Sequence, residues 1–476
     1  MKYDYDVVVL GGGAAGLVAA TGCAGLGAKT ALIEKKQLGG DCTWYGCVPS
    51  KALLKSALSF SQAKRLEKFG IATKGLAELD PTRVMKHVRE MIDKISKHHP
   101  AEVFEKRGIK VLFGSPKFVD NKTLELNGKP IRAKRFIICT GSHPLVPPIQ
   151  GLKNIDYLTN ETVFDLEVLP KSLAVLGGGP IGVELAQAFA KLGVEVFIIE
   201  MAERILFRED QEVAEALAGI LEKDGIEIYT GKKAVKFAQE EGYVTITLED
   251  KDESQSLVEA EKVLVAVGRA PNLDGLWLDQ AGVKYTKQGI AVDATLKTTK
   301  ANIYACGDVV GPYQFSHMAE YQAIIAVQNA LIPFKRKVDY SVVPWCTFTE
   351  PELAHLGLTE EEASGQNRQI KIYRAKYSEN DRAVTDLDER GLAKVICDKK
   401  GQILGAHILG ANAGEFIHEY VLAKSAKLSI AKISSAIHIY PTLAQVAKRA
   451  ADQYYMEILN SKSTKMFSRI MLKLLK

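Results

Sequence analysis

Two stretches of this chain repeat one hydrophobic pattern. Val7-Val8-Val9-Leu10 is an unbroken apolar run, the mark of a strand buried on both faces. Gly11-Gly12-Gly13-Ala14-Ala15-Gly16 follows, then a helix of small residues to about Leu26, then a strand Thr30-Ala31-Leu32-Ile33 that ends at Glu34. The unit returns as Leu173-Ala174-Val175-Leu176, Gly177-Gly178-Gly179-Pro180-Ile181-Gly182, a helix to about Leu192, and Val194–Ile199 ending at Glu200. Between the two units the spacing predicts amphipathic helices over roughly 50–69 and 81–107. A strand-rich part follows at 109–139, with a turn at Asn127-Gly128. Pro144-Leu145-Val146-Pro147-Pro148 leads out of it, and a charged hairpin tip is expected over 249–261. From about 341 the pattern becomes strand-rich and then helix-rich. The expected fold class is α/β, with two Rossmann-like dinucleotide-binding domains and a C-terminal α+β domain.

Composition narrows this only slightly. The 476 residues are 47% hydrophobic and 25% charged, ordinary for a globular chain of two to four domains. A net charge of +5, with no basic run carrying interleaved aromatics, assigns no nucleic-acid site. The charged N-terminus runs straight into a strand and is not a signal peptide. No apolar run reaches the ~18 residues of a spanning helix. Seven scattered cysteines argue against a secreted disulfide framework, so a cytoplasmic location is expected. No metal-ligating set is assigned.

The glycine turns carry the first chemistry. Gly11 permits the tight turn, Gly13 lets backbone approach a pyrophosphate, and Gly16 lets helix and strand pack closely. The helix N-terminus then faces the phosphates. Glu34 stands where a carboxylate holds ribose hydroxyls. Gly177, Gly179, Gly182 and Glu200 repeat these roles. A carboxylate at Glu200 repels a 2′-phosphate, which favours NAD(H) over NADP(H), although Arg204 four residues on works the other way.

Cys42 and Cys47 lie five apart in Gly39-Gly40-Asp41-Cys42-Thr43-Trp44-Tyr45-Gly46-Cys47-Val48-Pro49-Ser50-Lys51. By spacing alone they are either a short disulfide loop or two unlinked thiols. A helix start near Cys47 would lower a thiol pKa.

This segment resembles the active-site signature of the class I pyridine nucleotide-disulfide oxidoreductases, the group of lipoamide dehydrogenase, glutathione reductase and mercuric reductase. Other segments resemble that family in the same order: Thr140-Gly141-Ser142, Val267-Gly268-Arg269-Ala270-Pro271-Asn272, Ala305-Cys306-Gly307-Asp308 and Phe348-Thr349-Glu350-Pro351-Glu352. The resemblance covers essentially the whole chain. It implies an FAD domain over 1–150 and 271–340, a nicotinamide-nucleotide domain over 151–270 and a dimerisation domain over 341–476. It also implies a homodimer, FAD contacts at Thr140, Gly141, Gly307 and Asp308, and the return to the FAD domain at Gly268 and Arg269. By the same resemblance, Cys42 and Cys47 form a redox-active disulfide, with Cys47 nearest the flavin and Cys42 the interchange thiol. Lys51 is similar to the lysine beside the flavin, and Glu184 to the glutamate that pairs with it. His317, in Ser316-His317-Met318-Ala319, is given a packing role.

One segment departs from the family. Where the disulfide reductases carry His-x-His-Pro-Thr-x-x-Glu, this chain reads His438-Ile439-Tyr440-Pro441-Thr442-Leu443-Ala444-Gln445. Tyr440 takes the place of the proton-moving histidine and Gln445 that of its glutamate. A tyrosine of pKa ~10 is a poor base near neutrality. His438, two residues upstream, is either a substitute or a packed histidine. Mercuric reductase also resembles the chain here, but its C-terminal cysteine pair has no counterpart, since the last cysteine is Cys397. Three functions stay open: a disulfide or dihydrolipoamide oxidoreductase, a reductase of metal ions, quinones or oxidants, and a non-catalytic flavin redox sensor. In the tail 463–476, Met466, Phe467, Ile470, Met471, Leu474 and Leu475 share a helical face beside Lys465, Arg469, Lys473 and Lys476. That face suits a membrane surface or the dimer partner.

Overall fold

The structure, a computed structural model, describes residues 2–72, 78–366 and 369–475. Its first sheet sets Ile109–Phe113, Thr30–Glu34, Tyr5–Leu10, the second half of Lys129–Ile138 and Ile303–Ala305 side by side and parallel. The apolar run Val7–Leu10 has no exposed residue because successive side chains feed two cores. Val7 and Val9 pack under the helices Ala14–Gly25 and Ser316–Leu331, while Val8 and Leu10 meet Phe118, Phe136 and Leu276 on the other face. The strand Lys129–Ile138 serves two sheets: its first half pairs antiparallel with Thr123–Leu126 across Asn127-Gly128, its second half parallel with Tyr5–Leu10.

A second parallel sheet runs Ile226–Thr230, Glu195–Glu200, Ser172–Leu176, Lys262–Val265, Tyr157–Leu158. An antiparallel meander, Lys233–Gln239, Val244–Glu249 and Gln255–Ala260, covers it, and the charged tip expected near 249–261 is the turn of its second hairpin. The chain leaves and re-enters the first unit through a two-stranded ribbon, Ser142–Pro144 against Arg269–Pro271. The helix Cys47–Lys64 packs between Pro81–Ser96 and Pro180–Lys191, tying the two parallel-sheet units together.

Two helical expectations need correction. The first helix starts at Cys47, not near 50, and ends at Lys64, with a 3-10 turn at Leu66–Phe69. The expected helix over 81–107 is two: Pro81–Ser96, capped by the Asp80 carboxylate on the Arg83 N–H, and Ala101–Glu105. Pro100 separates them; it has no N–H to continue a helical ladder and restricts His99 before it.

The C-terminal unit is an antiparallel sheet of five strands, Pro344–Thr347, Glu352–Gly357, Ile403–Gly410, Leu392–Asp398 and Ile370–Lys376. Its register aligns Trp345, His355, His407, Lys394 and Arg374 as successive cross-strand partners. This row meets an acidic segment of the nucleotide-sheet unit. Trp345 Nε1 donates to Glu209 at 2.5 Å, Lys394 Nζ lies 2.7 Å from Asp210, and Arg374 takes Glu212 in a fork at 2.9–3.0 Å. Lys394 is only 2% exposed, and the carboxylates of Asp210, Glu212 and Glu360 around it offset its desolvation.

Candidate active site

One cleft of about 2400 Å³ runs along the junction of the three units. It is lined by every cofactor-binding or catalytic candidate named from the sequence except Gly16, Gly182, His438 and Tyr440, and neither Gln445 nor the described tail reaches it. The two glycines are absent for a physical reason. A Cβ on Gly16 would overlap the carbonyl oxygen of Gly11, and one on Gly182 that of Gly177, so both serve packing inside the protein. At Gly13 an added Cβ would meet only Gly40, at 3.7 Å, and at Gly179 nothing within 4 Å. No neighbour in the chain requires glycine at those two positions, and both leave space open at the cleft.

The two turns are closed by the same bonds. Glu34 accepts from the Gly12 N–H at 2.6 Å and the Lys36 N–H at 2.7 Å. Glu200 accepts from Gly178 and Ala202, both at 2.7 Å. Each carboxylate is thereby fixed at the mouth of its turn with lone pairs left for a ribose. Arg204, read as the counterweight to Glu200, donates instead to the Phe207 carbonyl at 3.2 Å. The glycine cradles, the helix N-termini and the two fixed carboxylates fit two dinucleotides.

The flavin-side residues form a polar network centred on Arg269. Its Nε donates to Ser142 Oγ at 2.8 Å, and Ser142 Oγ donates to Asp308 Oδ2 at 2.6 Å. The same guanidinium lies 3.1 Å from Asp41. Burial pushes the Asp308 carboxyl above its usual range. Gly307 N–H donates to Gln322 at 2.7 Å, and Thr140 and Asn272 exchange hydrogen bonds at 2.8–2.9 Å across the ribbon. Asp41, Ser142, Asn160, Gln322 and Ser316 belong to this site, yet sequence reading gave them no role. Asp41, Ser142 and Ser316 lie within motifs already quoted, but their partners are far along the chain.

Cys47 is the first residue of its helix and faces the open cleft, with its sulfur 3.6 Å from Ser316 Oγ. A hydrogen bond from Cys42, then Ser316 and the charge of Lys51, push the Cys47 thiol down to about 6 against the cost of burial. The same shared proton, with burial, pushes Cys42 up. The first proton therefore leaves from Cys47. Lys51 Nζ lies 2.8 Å from Glu184 Oε2 and sits over the Phe348 ring, while Glu184 Oε1 accepts from the Phe348 N–H at 2.9 Å. Lys51 and Glu184 thus hold one another, as the resemblance implied. Cys139 and Cys306 also meet, at 3.5 Å, buried beside the Gly11 turn where they border the same cleft. His317 Nε2–H donates to the Pro344 carbonyl at 2.8 Å and its ring stacks on Phe315, a packing arrangement.

Tyr440 and His438 are placed apart from this chain's own cleft. Tyr440 is 65% exposed and donates to Asp381 at 2.8 Å, which raises its pKa further. His438 is paired: Nε2 lies 3.0 Å from Glu419, and Nδ1 3.0 Å from the Ala436 carbonyl. The tail helix Lys462–Leu474 is real and has no buried residue; Lys476 lies outside the described residues. No helix among the described residues is long and apolar enough to cross a membrane.

Comparison with known proteins agrees with this geometry. Residues 5–327 match the pyridine nucleotide-disulphide oxidoreductase family, and 343–451 match the dimerisation domain of that family. A mercuric reductase from Bacillus cereus is 35% identical over 451 residues, 94% of this chain and 71% of its own length. A dihydrolipoyl dehydrogenase from Bacillus subtilis (strain 168) is 34% identical over 468 residues, 95% of this chain and 98% of its own. The Cu(II) complex of the HOCl-induced flavoprotein disulfide reductase RclA from Escherichia coli superposes with a TM-score of 0.85 at 28% identity, over 95% of this chain and 100% of that one.

Proposed function

The chain belongs to the pyridine nucleotide-disulphide oxidoreductases, FAD-dependent enzymes, and on that premise we propose that it is an NADH-consuming reductase whose Cys42–Cys47 pair delivers electrons to a thiophilic metal ion or oxidant. Bound FAD supplies the route by which two electrons from a reduced nicotinamide reach the cysteine pair. The residues that would hold it are the Gly11–Gly16 turn, Glu34, Thr140, Gly141, Gly307 and Asp308. The chain's own groups do the rest. Gly177, Gly179 and Glu200 bind the nicotinamide nucleotide, Gly182 lets the turn pack on its helix, and the fixed Glu200 carboxylate favours NADH. Lys51, held by Glu184, places a cation beside Cys47. Cys47 holds negative charge after reduction, and Cys42 keeps its proton until reaction with the acceptor releases it to solvent. Gly268 and Arg269 brace the ribbon that joins the nucleotide-binding units. The unit from 341 onward pairs two chains into a homodimer.

The observation that carries the choice of acceptor is Tyr440. Its hydroxyl is committed to Asp381 and titrates above the ordinary tyrosine range. Such a group does not take a proton from a dithiol near neutrality. An acceptor that binds thiolates directly, or accepts electrons without an enzyme base, suits this site. The mercuric reductases and the Cu(II) complex among the relatives fit that class. The disulfide-substrate reading keeps one specific support, the His438–Glu419 pair, which supplies an imidazole held by a carboxylate. Steady-state rates with NADH and Cu(II), Hg(II), a quinone and lipoamide separate the readings. Metal or quinone reduction exceeding lipoamide turnover by more than about 10²-fold is expected. Lipoamide turnover at equal efficiency, lost in His438→Gln, would transfer the proposal to the disulfide class.

The tail offers a surface contact. Met466, Phe467, Ile470 and Leu474 are exposed on a helix that also carries Lys465, Arg469 and Lys473. Co-sedimentation of the full chain with anionic vesicles tells a lipid surface from the partner subunit as what covers it.

A further inference from the structure

Within the cross-strand row of the C-terminal sheet, every inward side chain but one has a partner on the nucleotide-sheet unit. Trp345 and His355 share Glu209, Lys394 takes Asp210, and Arg374 takes Glu212. His407 is the exception. It is fully buried, its Nε2–H donates to the Leu358 carbonyl at 3.0 Å, and its Nδ1 is enclosed with no hydrogen-bond partner. A buried ring nitrogen left bare has given up its hydrogen bond to water without a replacement.

Its surroundings explain what the bare nitrogen faces. His355 stands directly across the sheet from His407, with the rings 4.6 Å apart. His355 Nε2 lies 2.8 Å from the Gly357 carbonyl, which can only accept, so that nitrogen too carries its hydrogen outward. Both imidazoles therefore turn Nδ1 inward. His355 Nδ1 is 2.9 Å from Glu209 Oε2, a hydrogen bond when that ring is protonated and a pair of ligand atoms once a cation displaces the proton, and one ligand atom from each of Glu209, His355 and His407 lies within 4.8 Å of the others. The second oxygen of Glu209 is steadied by Trp345, whose ring stacks on His355 at 3.6 Å. Two imidazoles and a carboxylate converge, and the outward atoms of all three are held by hydrogen bonds. That is how metal ligands are oriented in proteins.

We propose that Glu209, His355 and His407 bind a divalent transition ion of the Zn(II) class, separate from the cysteine pair. Nitrogen and oxygen donors in a two-histidine, one-carboxylate set suit such borderline ions better than Mg(II) or Ca(II). Glu209 comes from the nucleotide-sheet unit and the histidines from the C-terminal sheet. The ion would clamp those two units together at the end of the segment that begins at Glu200. Nothing in this site depends on which acceptor the cysteines serve.

The test must exclude metal held by thiols. FAD-loaded Cys42→Ser/Cys47→Ser protein is equilibrated with Zn(II), and bound metal is counted per chain. One Zn(II) per chain is expected, with an X-ray absorption shell of N/O atoms and imidazole scattering near about 2.0–2.1 Å. In the same background, His407→Ala and Glu209→Gln should each weaken Zn(II) binding by more than about tenfold. No bound Zn(II) in the double-serine protein overturns the proposal, as does full binding in folded His407→Ala. Should His407→Ala fail to fold, the absorption spectrum decides, since a shell without imidazole also overturns it.

Discussion

The chain holds two close pairs of thiols, and they behave oppositely. Cys42 and Cys47 are neighbours in sequence, at a helix start, beside the Lys51 cation and open to the cleft. Cys139 and Cys306 immediately follow two adjacent parallel strands and lie 3.5 Å apart. In the first pair, hydrogen bonds and charge outweigh burial and Cys47 is driven toward thiolate. In the second, burial dominates and pushes Cys139 well above the ordinary thiol range. Closeness of two sulfurs is thus not redox chemistry. A thiolate needs a donor, a cation or a helix N-terminus to hold its charge.

The contrast can be broken most directly by mutation. Cys47→Ser should lower NADH-driven acceptor reduction by more than about 10³-fold. Cys139→Ala should leave it within about threefold and cost a few degrees of melting temperature, the scale of a small core deletion. Comparable loss in both variants would end the distinction. Next comes reactivity: in the anaerobically reduced protein at neutral pH, mass mapping after iodoacetamide should find label at Cys42 or Cys47. Cys139 and Cys306 should carry at least about 100-fold less label.

The sign of the pH dependence follows from the depressed Cys47 pKa. Its thiolate is present above about pH 6 and is lost as the pH falls through that value. The long-wavelength absorbance of a thiolate against oxidised flavin should therefore fade on acidification through that range. In Lys51→Met the fading should move to higher pH, because a stabilising charge is gone. Ser316→Ala should displace it the same way. The absorbance at pH 6 should fall by at least about twofold, because the Ser316 hydrogen bond holds the Cys47 thiolate more strongly than the Lys51 charge does.

The same comparison marks what could be read from the chain. Cys42 and Cys47 were legible because their loop, glycines and helix are contiguous. The two glycine turns were legible for the same reason, since strand, turn, helix and terminal acid occupy one short stretch. The contact between Cys139 and Cys306 was not legible, being made across 167 positions by strand pairing. The break at Pro100 was readable in principle, but the amphipathic period runs through it. The pairing of His438 with Glu419 joins separate elements, and no periodicity announces it.

By itself, then, the amino-acid sequence determined the α/β class, the two nucleotide cradles with Glu34 and Glu200, and the cysteine loop with its helix. Each rests on local sterics: glycine where a Cβ would strike backbone, an apolar run where both faces are covered, a thiol where a helix begins. Tertiary structure alone decided that Arg269 bridges Ser142 and Asp41, and that Trp345, His355, His407, Lys394 and Arg374 form one row against Glu209–Glu212. Those contacts depend on strand register and on how separate units dock. Register is set by the burial of whole strands, so no short stretch of chain encodes which side chains will face each other across it.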